Sequence, residues 1–270
     1  MTAATLVFVS AAVTLVAVFA LRGVGWPSAV NHRGVRLPLV LGIAVGAGSA
    51  AGAASVWIGA VPSAAGIRTL VGAGIVFLAG VIDDVLPAGP RGLRGHLRAL
   101  AGGHMTTGIL KMLMTVAVSI VVVAGLPRGP FPVQLAGVVT VAGSTNLWNG
   151  LDVAPGRAIK AFLVAGAGVL LAGVSVVASP IVAAVLAAAI VAFPFDVRER
   201  AMLGDGGSNL LGFTAGVGLH LVLPPWGLFV AAAVMVALNL TAETLTLTRL
   251  IEAAPPLRWA DRLGRTGAGT

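Results

Sequence analysis

Cysteine is absent from the 270 residues, so neither a disulfide framework nor thiol chemistry is available. Charge is scarce as well: 10% of residues are charged, against about 25% in a soluble domain. With 58% apolar residues and a mean hydropathy of +1.02, the chain lacks the polar surface to face water all round. No basic segment precedes the first apolar run, Ala3 to Leu21. It therefore reads as a retained helix and not as a cleaved signal peptide. The four histidines (His32, His96, His104, His220) show no metal-ligand spacing and read as structural. A net charge of +8 does not call for nucleic acid, because a membrane protein has its own use for Arg and Lys.

What the chain does have is apolar runs of about 15 to 22 residues, the length a helix needs to cross hydrocarbon. The pattern predicts an all-α, polytopic membrane bundle of about nine spans. They fall at 3–21, 37–60, 64–82, 107–125, 131–147, 159–177, 181–195, 209–223 and 226–247. Pro62, Pro127 with Pro130, Pro180, and Pro224 with Pro225 mark four short turns. These alternate with longer polar segments at 22–36, 83–106, 148–158, 196–208 and the tail from Thr248. Residues 1–247 then form one transmembrane domain, and 248–270 a basic tail lying along the cytoplasmic surface. The Gly, Ala and Val content suits close helix packing in lipid.

The charges sort by side. With the N-terminus outside, fifteen of the seventeen Arg and Lys fall on one face; Arg68 and Arg128 are the exceptions. The rich face is expected to be cytoplasmic, with the C-terminus there too. All nine acids lie on that same face. Insertion does not sort acids, so this points to a one-sided active site and not to a pore.

Three clusters stand out. Asp83-Asp84 ends the third span, at the helix end where the macrodipole disfavours acids. They are either solvated loop acids or paired carboxylates for Mg²⁺ or general-base work. The following Arg94 and Arg98 are cations of the kind that contact phosphate. Asn146, Asn149 and Asp152 close the fifth span at three-residue spacing, which suits a polar ligand or, equally, a chain of helix caps. Gly204-Asp205-Gly206-Gly207-Ser208-Asn209 leads into the eighth span, where glycines and a helix N-terminus favour phosphate and an Asp can hold its metal. Alone, this loop also fits a plain N-cap. Lys111 lies one turn inside the fourth span and Glu243 about one turn inside the ninth. Each either snorkels to the interface or joins the acids.

In this order the motifs resemble those of the polyprenyl-phosphate N-acetylhexosamine-1-phosphate transferases. Asn31-His32-Arg33-Gly34-Val35-Arg36-Leu37-Pro38 is similar to the segment before their second helix. The likeness implies transfer of a sugar-1-phosphate from a UDP-sugar to a polyprenyl phosphate such as undecaprenyl phosphate, releasing UMP, with Mg²⁺. The setting it implies is the cytoplasmic face of a bacterial plasma membrane, in cell wall biogenesis. Asp83, Asp84 and Lys111 would be catalytic, Asp205 and Asp84 would bind the metal, and Asn146, Asn149, Asp152, Arg33 and Arg94 would bind substrate. A homodimer is compatible with this reading. Two departures keep a catalytically silent lipid-binding member open. The C-terminal segment Arg249–Trp259 holds no histidine where the family tends to have a His-rich loop, and Met202 stands where an aromatic ring can stack on uracil. A transporter is disfavoured, since neither midplane charges nor matching broken helices are present.

Overall fold

Proline and glycine cut the apolar runs into helices. The computed structural model describes residues 3–31, 34–56, 63–86, 89, 92–126, 128–173, 179–244 and 246–265. Among the described residues, each of the nine apolar runs holds one helix. In chain order these are α1 (Ala3–Leu21), α2 (Leu41–Val56), α3 (Ala64–Val85), α5 (Thr107–Ala124) and α6 (Phe131–Leu151). After them come α7 (Arg157–Leu171), α8 (Ser179–Asp196), α9 (Gly204–Val222) and α10 (Pro225–Thr244). Among the described residues, α1, α3, α5, α8 and α10 are long and apolar enough to cross a membrane. α2 is apolar but only 16 residues long.

The polar segments are more ordered than their composition predicts. Residues 92–101, expected as loop, form α4 (Gly92–Ala101), and the tail folds into α11 (Leu247–Ala253) and α12 (Pro255–Arg262). Before α2, β1 (Ser28–Val30) pairs antiparallel with β2 (Arg36–Pro38), Ala29 opposite Leu37. This hairpin adds a small strand element to the predicted all-α fold. Its outgoing end is fastened to the segment before α9: the Met202 amide donates to the Pro38 carbonyl at 2.9 Å, and the Leu41 amide to the Met202 carbonyl at 3.2 Å.

α9 is the axis of the bundle. It packs against α6, α3, α7 and α2, and every residue from Gly206 to Gly218 is buried. A helix apolar and buried all round must be surrounded by others. Its start corrects the sequence reading: Gly204 to Asn209 are the first turns of the helix, not a loop before residue 209. Gly204 makes this possible, because its φ of +70° turns the chain in a region that favours glycine. Gly80 allows α3 to lie directly on it, since a Cβ at residue 80 would sit 2.5 Å from the Asp205 carbonyl oxygen and 2.7 Å from Gly206 Cα.

Candidate active site

The last turn of α3 carries Asp83 and Asp84, and the two carboxylates diverge. Asp84 turns toward α9, where Oδ1 accepts the Asp205 amide at 2.8 Å and Oδ2 the Gly206 amide at 3.0 Å. These are amides that the first turn of a helix cannot satisfy internally. The glycine-rich stretch does face an anion, as predicted, but the anion is a side chain of the same protein. Each oxygen of Asp84, expected as a metal ligand, accepts one amide of α9 and keeps a second lone pair.

Asp83 turns instead toward α5. That helix starts at Thr107 because Thr106 caps it, its hydroxyl accepting the Ile109 amide at 3.2 Å. His96 of α4 meets the same hydroxyl at 2.8 Å, which ties α4 to the start of α5. One turn on, Lys111 Nζ donates to Asp83 Oδ2 at 2.6 Å and to Asp205 Oδ2. Lys111 therefore does not snorkel; it joins two acids 122 residues apart in sequence.

α6 contributes from the third side. With its amide nitrogen toward the carboxylate, Asn149 donates to Asp205 Oδ1 at 2.9 Å and accepts from Lys111 Nζ at 2.9 Å, satisfying both. Asp152 follows the end of α6. Burial pushes its carboxyl well above the usual range, and the charges of Asp196, Asp205 and Asp84 push the same way. The Gly204 amide, which hydrogen-bonds it, opposes them.

Several expected site residues lie elsewhere. Asn146 faces away from the acids, and its Nδ2 donates to Asn239 Oδ1 of α10 at 2.6 Å. Arg33 lies outside the described residues. Arg94 is in α4 and Glu243 in α10, but their side chains lie outside the described set. Arg157 is buried against Asp261 of α12. Sequence reasoning missed two partners. Asp196, at the end of α8, accepts the Gly156 amide at 3.0 Å and so braces the turn after Asp152. Its one signal was an acid closing an apolar run. Asp261 gave no signal at all in a basic tail.

The assembled group is a partly buried knot of Asp83, Asp205, Asn149 and Lys111, with Asp84 and Asp152 close behind. Two carboxylates share one ammonium and two more lie nearby, so the site has a surplus of negative charge. No group of three acid or His side chains among the described residues is arranged to cage a metal.

A search of the curated proteins finds no match. The model of glycosyl transferase family 4 matches residues 67–223, over half of the chain, and this stretch holds every acid of the knot. Members transfer a sugar phosphate to a lipid carrier. The protein belongs to glycosyl transferase family 4, the polyprenyl-phosphate sugar-1-phosphate transferases.

Proposed function

We propose that this protein transfers a sugar-1-phosphate from a UDP-sugar to a polyprenyl phosphate at the cytoplasmic membrane face, releasing UMP. The observation that carries the proposal is the convergence of Asp83, Asp205 and Asn149 on Lys111, from four helices far apart in sequence. The nine long helices would cross with the N-terminus outside, which puts all nine acids and fifteen basic residues on the catalytic side.

The chemistry is a phosphoryl transfer. An oxygen of the lipid phosphate forms a bond to the phosphorus that carries the sugar. The bridging P–O bond breaks, and UMP leaves with the electron pair. Asp83, fixed by Lys111, is placed to take the proton of a lipid phosphate monoanion. Mg²⁺, held by Asp205 with Asp84, would supply neutralisation of the pyrophosphate charge. Lys111 stabilises charge on the transferring group and holds the two carboxylates together. Asp84 also acts through α9, fixing where the Asp205 backbone stands. Asn149 orients Asp205, while Asp152 borders the side from which the nucleotide would approach.

The test is UMP release in detergent with undecaprenyl phosphate, Mg²⁺ and a panel of UDP-sugars. At least one donor should give UMP, and Asp205→Asn or chelation should stop it. If no donor works, the transferase reading goes. A silent lipid binder then takes its place, a reading favoured by one observation: the histidine-free tail is committed to a structural lock through Asp261.

A further inference from the structure

The tail is held in one rotational setting. Arg157, the first residue of α7, grips Asp261 of α12 with two nitrogens, Nε to Oδ1 at 2.8 Å and Nη2 to Oδ2 at 3.0 Å. Lys160, one turn along α7, donates to the carbonyls of Ala260 at 3.0 Å and Asp261 at 2.6 Å, covering the C-terminal end of α12. Arg265 completes the lock, reaching Asp261 Oδ1 at 2.5 Å and the Pro155 carbonyl at 3.0 Å. Burial raises the Asp261 carboxyl, but the bonds from Arg157 and the Arg265 charge outweigh it and hold it below the usual range. A bidentate arginine–carboxylate pair fixes orientation as well as position. It therefore decides which face of α12 looks outward.

Successive residues of a helix are about 100° apart, so with Asp261 turned inward Trp259 stands nearly opposite. The exposures agree: Asp261 is 9% exposed and Trp259 68%. Leu263, four residues on, is 47% exposed and continues the line of Trp259. Arg258 and Arg262, also exposed and four apart, make the adjoining stripe. Asp261 is the only acid of α12, so nothing neutralises that stripe from within the helix. An indole and a leucine beside two guanidiniums is the composition of a helix lying in the headgroup zone.

Position limits what can reach this face. α10 is apolar enough to cross a membrane and ends at Thr244, and α11 begins at Leu247. A few residues of chain span only about 10 Å, and α12 is tied to the first two turns of α7. Both attachments are ends of bundle helices, so α12 stays beside the bilayer surface.

We propose that the outward face of α12 binds anionic phospholipid headgroups, with Trp259 and Leu263 seated at the interface and Arg258 and Arg262 pairing with lipid phosphate. The inference needs the membrane setting but not the transferase chemistry, so it stands or falls separately. The absence of cysteine allows a clean single label. Full-length protein with Leu263→Cys carrying a polarity-sensitive fluorophore is placed in nanodiscs of phosphatidylcholine, without and with phosphatidylglycerol. The expected result is a blue shift when phosphatidylglycerol is present, quenching by a headgroup-level nitroxide lipid, and loss of the shift in high salt. Arg258→Gln with Arg262→Gln should weaken it too. The lipid comparison needs only the labelled protein, so it decides even if the arginine variant folds poorly. A spectrum indifferent to phosphatidylglycerol and salt overturns the proposal. A water-exposed label in both discs also overturns it, leaving the face to a protein partner.

Discussion

The two ends of α9 are both capped by a charged side chain from elsewhere in the fold, and the difference between them separates stability from chemistry. At the N-terminus Asp84 accepts two amides; at the C-terminus Arg128 donates to the carbonyls of His220 and, at 3.0 Å, Leu223. Each charge has the sign that complements the helix dipole, and each satisfies groups the terminal turn leaves open. At the Arg128 end no surplus charge is left over among the described residues, although His220 Nδ1 is buried without a hydrogen-bond partner. His220 Nε2 meets the Leu126 carbonyl at 3.1 Å, and the cleft beside Arg128 is lined by Gly129, Val133, Leu223, Pro225 and Leu228, with no acid. At the Asp84 end, Asp83 and Asp205 share one lysine, and Asp152 feels the charges of Asp205 and Asp84. Capping a helix needs one charge. Surplus partly buried charge of one sign costs stability, and that is the arrangement expected where a ligand uses it.

The comparison breaks most visibly at Lys111. Lys111→Met should lower UMP release by about 10²–10³-fold, the loss typical of one preorganised charge partner, while the helix content by circular dichroism is retained. Equal loss of activity in Arg128→Met would show that the two ends do not differ as claimed. A smaller effect is expected from Gly80→Ala, whose new Cβ would press on the Asp205 carbonyl. Overpacking of this kind costs about 1–3 kcal/mol and should lower both melting temperature and turnover. Gly74→Ala on the same helix meets nothing within 4 Å and should gain about 0.5–1 kcal/mol with turnover unchanged. If the two alanines behave alike, close contact of α3 with α9 does not position the site.

At the other end, Arg128→Met should cost about 1–2 kcal/mol in thermal unfolding and nothing in turnover. Asp152→Asn tests the acid end through its pH dependence. The Asp152 carboxyl titrates above its ordinary value of 3.8, so the folded state holds its proton more tightly than the unfolded state. Stability is then lost as pH rises from the unfolded value through the raised folded one. The Asn variant should melt higher than wild type at neutral pH, and the gain should shrink as the pH falls toward 4. A gain independent of pH would remove the electrostatic explanation.

The nine apolar runs each contain a helix because length and hydropathy are local properties, and the five strongest meet the requirements for a membrane span outright. Boundaries were less legible. Gly204–Asn209 has loop composition, yet it is helical because Asp84, 121 residues earlier, supplies the anion that its amides need. The strands of the Ser28–Pro38 hairpin are three residues each, too short for alternation to show. Asn146 and Asn149, three apart, differ by about 60° around α6, enough to send one to α10 and the other to α9. Spacing alone could not say which neighbour each would meet.

By itself the sequence determined the membrane class, the run of helices and the identity of the acids, since these follow from composition and order along the chain. The tertiary structure decided which groups each acid meets. Asp83 meets Lys111, Asp84 caps α9, and Asp261 locks the tail, although all three are the same residue type. The reason is geometric. A carboxylate acts over a few ångströms, and which groups come that close depends on how α3, α5, α6 and α9 pack and not on their order.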